Sequence, residues 1–119
     1  MPGVEIISAY SFMMTGFIKI SFPLGLRMID DYAFCECSQL KNIELPASVT
    51  YVGERTFSGC KLDTIKVHFT SPIELGSHAF YYDKPGDYYR PKVLSVPAGC
   101  KEVFEKAKGW NECKEIIEH

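Results

Sequence analysis

Five cysteines and three histidines are the residues of this 119-residue chain with the widest scope for chemistry. Cys35 and Cys37 form a C-x-C pair, and Cys60 follows 23 residues after Cys37. Zinc requires four nitrogen or sulfur ligands that converge as a tetrahedron, whereas His68 and His78 lie in other parts of the repeat described below. The odd number of cysteines argues against a complete disulfide framework. We therefore expect buried free thiols, with a zinc site or a Cys37–Cys60 disulfide as the alternatives.

Nucleophilic catalysis would require a serine or cysteine close to a histidine and a carboxylate. The sequence contains no G-x-S-x-G or H-E-x-x-H motif and no Cys/His signature, and its nine glycines fall at turns between repeats. We therefore predict that the chain is not an enzyme and uses no cofactor or metal. A net charge of −2 and a pI near 5.9 argue against nucleic acid as a partner. No segment has the apolar length of a membrane span, and the first residues lack the pattern of a signal peptide.

Apolar residues recur at steps of 22 or 23 positions, and this repeat decides where each candidate residue lies. The second unit is the template: Ile29, Ala33, Phe34, Cys37, Leu40, Ile43, Leu45, Pro46 and Val49. Matching positions recur over 7–26 and 52–67, and in a degenerate fourth unit over 75–97. One unit of this length cannot bury its apolar side alone, so the units should stack as coils around a shared interior.

Each unit contains short segments that are predicted to be strands. The alternation of apolar and polar residues that is typical of strands with one buried face occurs over 18–22, 41–45, 63–67 and 92–96. Shorter extended segments are expected over 26–29, 49–52 and 72–75. Strands of successive units should pair in parallel. The aromatic residue of each unit should join one stacked spine that consists of Phe12, Phe34, Phe57 and Phe80, in which Phe34 and Phe57 should be nearly fully buried.

The pattern I-x-x-x-A-F-x-x-C-x-x-L-x-x-I-x-L-P-x-x-V resembles the BspA-type leucine-rich repeat, which is found in many bacterial and protist surface proteins. The resemblance covers residues 6–119, and residues 96–110 are similar to the family's usual C-terminal ending. It implies an α/β, leucine-rich-repeat right-handed solenoid of short parallel strands and turns, with about four coils. Coils would occupy 1–99, with an insertion at 81–91, and 100–119 would form the C-terminal cap of one continuous domain.

The two ends of the solenoid are predicted to differ. The cap should contain a short helix over 100–108, and Trp110 should close the last coil. The buried face of this helix would consist of Val103, Phe104 and Ala107. The N-terminal coil has no equivalent cap. We therefore expect either upstream residues or another chain to cover it, and self-association through this coil follows from the second alternative.

The outward face of the longer strands is the first candidate binding surface. Ser21, Glu44, Lys66 and Ser95 should form one row across it, because they occupy one repeat position. The predicted partner-binding residues of this face are Lys19, Ser21, Asn42, Glu44, Thr64 and Lys66. Solenoids usually bind partners on such a face, although any solvated sheet has a similar composition.

The insertion at 81–91 is the second candidate surface. Its predicted partner-binding residues are Tyr81, Tyr82, Tyr88, Tyr89 and Arg90. Tyrosine and arginine are favoured in interface hot spots, but these rings would equally serve to cover the last coil. The proline, glycine and aspartate content predicts a loop with an exposed, mobile tip at 85–86.

The resemblance implies a binding module of a cell-surface or secreted protein, because some relatives act as adhesins for host matrix or other cells. The expected ligand is accordingly a protein or a glycan, without insertion into a membrane. The alternative is a purely structural C-terminal segment of a longer repeat protein with no ligand of its own.

Overall fold

The computed structural model describes residues 5–84 and 87–119, which form two parallel sheets and one hairpin. The minor sheet is built from two-residue strands in the order β1 (Ile6–Ile7), β2 (Met28–Ile29), β4 (Tyr51–Val52) and β6 (Glu74–Leu75). The main sheet has four-residue strands in the order β10 (Glu115–Glu118), β9 (Val93–Val96), β5 (Thr64–Val67) and β3 (Asn42–Leu45). Both sheets bury one face against a shared apolar core.

The strand register follows the sequence repeat. In the main sheet Ile43 lies opposite Ile65, which lies opposite Leu94. In the minor sheet Ile7 lies opposite Ile29, which lies opposite Val52. Every neighbouring pair in these two sheets is parallel. The molecule is therefore a parallel-strand solenoid, and the C-terminal β10 brings it to about five turns with little helix.

The predicted aromatic spine is confirmed. Phe34 lies 5.3 Å from both Phe12 and Phe57, and Phe57 lies 5.7 Å from Phe80, with ring planes within 14° of parallel. Backbone hydrogen bonds join the same coils. The N–H groups of Phe12, Phe34 and Phe57 donate to the carbonyls of Ala33, Thr56 and Ala79, respectively. Trp110 extends the spine at 5.2 Å from Phe80 and donates its indole N–H to the Ile73 carbonyl. The cap thus closes the core with an aromatic residue of its own.

The repeated cysteines are buried free thiols, as predicted. Cys37 Sγ donates to the Phe12 carbonyl and Cys60 Sγ donates to the Phe34 carbonyl, each at 3.1 Å. Thr15 lies at the matching position of the first coil, with its hydroxyl 3.3 Å from Cys37 Sγ. Burial raises the thiol pKa of Cys60, and it raises that of Cys113 to about 12. Cys37 and Cys60 therefore act as small buried groups whose thiols satisfy turn carbonyls.

The segment 18–22 does not form the strand that its alternation predicts. Its position in the repeat is the same as that of β3, yet no backbone hydrogen bond joins it to β3 within the described residues. The difference has a steric reason, because Phe22 stands where later coils carry Leu45 and Val67. The larger ring packs edge-on against Phe34 at 5.7 Å, and Ile20 and Phe22 both pack on the core, so the segment keeps its inward face without the backbone pairing of a strand.

The cap helix and the insertion also differ from the expectation. The helix α1 covers only Lys101–Glu105 and is followed by a 3₁₀ helix, Trp110–Glu112. Phe104 is fully buried, whereas Val103, predicted on the buried face, is 45% exposed. The insertion, predicted as a loop, contains an antiparallel hairpin of β7 (Tyr82–Lys84) and β8 (Asp87–Tyr89). The prediction was based on the proline, glycine and aspartate residues and did not consider the high strand propensity of tyrosine. The predicted mobile tip at 85–86 lies outside the described residues.

Candidate binding groove on the main sheet

The six sheet-face residues predicted to bind a partner line one surface groove of about 940 Å³, whereas Ser95, predicted on the same face, does not line it. We call it the sheet-face groove. Its lining includes Lys19, Ser21, Asn42, Glu44, Thr64 and Lys66. A volume of this size is at the upper end of the roughly 300–1,000 Å³ that is usual for ligand clefts. The structure therefore joins residues from three successive coils into a single concave surface.

The groove is lined by the segment 18–22 and by residues of the next two coils. Ile18, Phe22 and Leu24 line it from the first coil, and Pro46 and Ala47 line it after β3. Ile18 is 75% exposed and Leu24 is 87% exposed. The groove thus combines apolar walls with a polar, mixed-charge floor, which is the composition expected of a surface that binds an amphipathic ligand.

The predicted polar row is present in the main sheet, but its far end is covered. Glu44 lies opposite Lys66, which lies opposite Ser95, as the repeat predicted. Ser95 is buried, because His119 follows β10 and its Nδ1 lies 2.8 Å from Ser95 Oγ. Ser21 lines the groove without joining the ladder. The accessible part of the row therefore lies on the first three coils.

Two histidines that the sequence reasoning left out belong to this surface. His68 Nε2 lies 2.5 Å from Glu44 Oε2, and the His68 ring meets the His119 ring edge to face at 5.4 Å. The strand alternation offered a signal for His68, because it follows Thr64 and Lys66 at the same two-residue period. The sequence pattern did not indicate that His119 would lie on this surface, because residues 100–119 were assigned to the cap.

The charges of the groove depend on each other. The hydrogen bond from His68 holds the pKa of Glu44 below its ordinary value, and the positive charges of Lys66 and His119 add to this effect. The pKa of His119 is lowered mainly by desolvation and further by Lys66 and His68, while Glu44 acts in the opposite direction. Glu44 is therefore an occupied acceptor, whereas the Lys66 ammonium lies within 4.0 Å of no carboxylate among the described residues.

Serine, histidine and glutamate side chains on one surface invite comparison with a hydrolytic relay. Here the serine hydroxyl is buried and contacts the Nδ1 of His119. The two histidines touch through their ring edges rather than through a hydrogen bond between nitrogens. A nucleophile must be reachable by its substrate, so this arrangement supports a charged binding surface better than a catalytic one. Among residues 5–84 and 87–119, no group of three His, Cys, Asp or Glu side chains is arranged to hold a metal ion.

Tyr81, Tyr89 and Arg90 of the insertion are not among the residues that line the sheet-face groove. The hydroxyl of the half-buried Tyr89 donates to the Leu62 carbonyl at 2.8 Å and lies 3.4 Å from Asp63 Oδ1. Tyr81 packs on His78 at 4.8 Å and lines a second cavity of about 560 Å³ between the last coil and the cap. Arg90 is half-buried. The side chains of Tyr82 and Tyr88 lie outside the described residues, so only Tyr81, Tyr89 and Arg90 can be located.

The comparisons with known proteins agree with the repeat geometry. A family model, the BspA type Leucine rich repeat region, matches residues 5–94 in six copies. No curated protein and no solved structure matches the chain. Repeat proteins of this family have protein-binding or structural roles, are typically non-enzymatic and are often surface-associated. No helix among the described residues has the length and apolarity needed to cross a membrane. Because the match covers most of the 119 residues, the chain belongs to the BspA-type leucine-rich repeat family.

Proposed function

We propose that the chain is a non-enzymatic binding module of a cell-surface or secreted leucine-rich-repeat protein, and that its sheet-face groove binds a protein or glycan ligand in adhesion. The observation that carries this proposal is the convergence of all six sheet-face residues on one open groove. A solvated face without a ligand has no need of exposed apolar walls beside it, yet Ile18 and Leu24 are largely exposed there.

The charge distribution supports the choice of this face. Lys19 of the first coil and Lys66 of the third coil both line the groove, and neither has a carboxylate within 4.0 Å among the described residues. Charged groups of this kind increase the rate of encounter and select the partner more than they increase affinity. They are therefore the residues whose reversal should change ligand binding with little effect on the fold.

The test is a binding screen of the whole chain against immobilised extracellular-matrix proteins and a glycan array, followed by the double variant Lys19→Glu/Lys66→Glu. We expect the double variant to abolish binding of each ligand that the chain retains. Lys114→Glu is the matched control, because Lys114 is an exposed lysine of the cap outside the groove. The Lys66 substitution puts a second acid beside Glu44, which should cost only about 0.2–1 kcal/mol of stability.

The competing function is a structural segment of a longer repeat protein. It is supported by the unpaired edge that the main sheet presents at β3. The structural role would be favoured if the screen retained no ligand. It would also be favoured if the groove variant and the Lys114→Glu control reduced binding equally.

A further inference from the structure

We propose that the cavity between the last coil and the cap binds a four-residue turn of a partner protein through backbone hydrogen bonds. This cavity, which we call the cap cavity, has a volume of about 560 Å³. Its lining includes Leu75, Ser77, His78, Phe80 and Lys108. None of its lining residues lines the sheet-face groove, so the site goes beyond the proposed function and does not depend on it.

The first support is a set of three backbone hydrogen bonds that recurs between the turns of neighbouring coils. Each turn receives, from four residues of the next coil, the N–H of the first residue and the carbonyls of the second and fourth. Residues 53–56 bond in this way to Ile29, Tyr32 and Phe34, with N···O distances of 2.8, 2.9 and 2.9 Å. Residues 30–33 and 76–79 repeat the pattern toward the coils before them, at 2.8–3.2 Å.

The second support is that the fourth coil presents the same three groups without a partner. By the repeat they are the carbonyl of Leu75 and the N–H groups of His78 and Phe80, and all three residues line the cap cavity. β6 is the last strand of the minor sheet, and the described residues supply no hydrogen bond to any of the three groups. The cap follows at this point of the repeat, but its backbone forms helix α1 instead of a turn. A partner that completes the pattern would satisfy all three groups.

The third support is the space beside the fourth turn. Val52 and Gly53 are buried, whereas Leu75 and Gly76, at the same repeat positions, are only half-buried. A complete further coil cannot enter, because Trp110 occupies the place of the next spine ring. A four-residue turn carries no such ring. The cavity volume lies within the roughly 300–1,000 Å³ that is usual for ligand clefts, so a short turn has room there.

The chain's own turns indicate which sequence fits. The first of the four residues is Gly53 in the third coil and Gly76 in the fourth, where an added Cβ would collide with backbone atoms of the preceding coil. The third residue has a positive φ, at 60° in Tyr32, 51° in Arg55 and 57° in His78. The fourth is alanine or threonine and is buried. The expected occupant is therefore a Gly-x-x-small turn whose third residue tolerates a positive φ.

The experiment is a titration of the whole, isotope-labelled chain with a short peptide, followed through its backbone amide signals by NMR. The probe is acetyl-Gly-Ser-Gly-Ala-amide, which is uncharged because the cavity lining has one charge of each sign, Lys108 and Glu112. Its third glycine adopts a positive φ readily. One control peptide has proline there, which fixes φ at about −65°. The other has N-methylglycine in the first position and lacks the N–H that would donate to the Leu75 carbonyl.

We expect the probe to shift the amide signals of His78 and Phe80, because each N–H gains a carbonyl, and to leave that of Phe34 unchanged. Both control peptides should bind at least about tenfold more weakly than the probe. Ser77→Trp puts an indole at the cavity and should weaken binding by a similar factor. Ser71→Trp is the matched control at an exposed serine outside the lining, and it should leave the binding unchanged.

Equal binding of the probe and the proline peptide would overturn the proposal, because recognition would then not require the turn. Absence of a shift at His78 and Phe80 with about 20 mM probe would also overturn it, since complexes with millimolar dissociation constants are detected at this concentration. Hydrogen exchange at these two amides as slow as at Phe34 would have the same meaning, because both groups would then already be bonded. The double variant Lys19→Glu/Lys66→Glu should bind the probe normally, so the ligand screen decides the proposed function separately.

Discussion

The Phe34 ring shows how much one residue of the repeat contributes to the fold. It is fully buried, and its plane lies within 1° of that of Phe57. Removing the ring leaves a cavity between coils whose spacing is set by backbone hydrogen bonds, so the site cannot collapse freely. We expect Phe34→Ala or Phe57→Ala to lower the free energy of unfolding by about 3–5 kcal/mol, as measured by urea denaturation.

Phe17 provides the matched control for the spine. It is 37% exposed and packs on Phe12, the first ring of the spine. Phe17→Ala should therefore cost clearly less than either spine substitution, since only part of its surface is removed from water. If Phe34→Ala cost less than about 1 kcal/mol, the spine would not be a main source of stability.

The charges around His119 predict that two substitutions shift its pKa in opposite directions. Desolvation and the Lys66 ammonium lower the His119 pKa, whereas the Glu44 carboxylate raises it. An NMR titration of the His119 ring should therefore give a midpoint below about 6.5 in the parent chain. Lys66→Gln should move this midpoint up, and Glu44→Gln should move it down. Shifts of the same sign in both variants would contradict the geometry of this surface.

The same pKa shifts determine how stability changes with pH. The folded-state pKa of His119 is below its unfolded value, so the unfolded chain binds more protons as the pH falls through that interval. Glu44 acts in the same direction at lower pH, because its folded-state pKa is also lowered. We expect the denaturation midpoint to decrease from about pH 7 toward pH 4, and to do so less steeply in the double variant Glu44→Gln/His119→Gln.

At this scale the sequence predicted the buried residues better than the surface contacts. Phe34 and Cys37 recur one repeat later at Phe57 and Cys60, and a repeated apolar position has to face the shared interior. The contacts of His68 and His119 join residues 24 positions from their partners, and neither histidine belongs to the repeat pattern. Their proximity depends on the exact stacking of coils, which periodicity alone does not provide.

At the scale of elements, the alternation of apolar and polar residues predicted most of the main-sheet strands, but it did not predict how the first coil packs. Three of the four alternating segments became strands of the main sheet, as predicted. The exception, 18–22, has the same alternation, but its larger Phe22 changes the packing against Phe34. A strand forms only when its backbone pairs with a neighbouring strand, and the alternation of one segment does not establish that it will pair even where the neighbouring edge is free.

The hairpin β7–β8 offers a prediction about the role of the insertion. Tyr89 is half-buried, and its hydroxyl bonds to the Leu62 carbonyl, so this ring covers a coil rather than forming a free recognition patch. We expect Tyr89→Phe to lower the free energy of unfolding by about 0.5–1.5 kcal/mol. Tyr89→Ser should cost more, because the ring is lost as well. Thermal or urea denaturation would measure both effects.

Ligand binding distinguishes the two roles that the sequence left open for these tyrosines. If Tyr89 only stabilises the coil, Tyr89→Ser should leave ligand binding at the sheet-face groove unchanged. Tyr81→Ser tests the ring that packs on His78 and lines the second cavity. Lost binding with unchanged stability in either variant would restore the recognition role of the insertion.

At the scale of the whole molecule, the two ends of the solenoid differ in polarity. The C-terminal end is closed by Trp110 over the spine and by the edge strand β10, whose first and last residues are Glu115 and Glu118. Charges on an edge strand oppose pairing with another sheet. The first coil is different in composition: of nine exposed large apolar side chains among the described residues, seven lie between positions 6 and 24.

This asymmetry predicts that the chain self-associates head to head through the first coil. Head-to-tail stacking is disfavoured, because Trp110 already occupies the place next to Phe80 where another coil would continue the spine. Two first coils related by a twofold axis would instead bury the same apolar surface from both sides.

We expect size-exclusion chromatography with light scattering to show a dimer that dissociates on dilution. Ile6→Lys/Met14→Lys, at side chains that are 55% and 67% exposed, should give a monomer of unchanged stability. Val103→Lys changes an apolar residue of the cap that is 45% exposed and should leave the dimer intact. A parent chain that remains monomeric at the highest soluble concentration would disprove association through this coil.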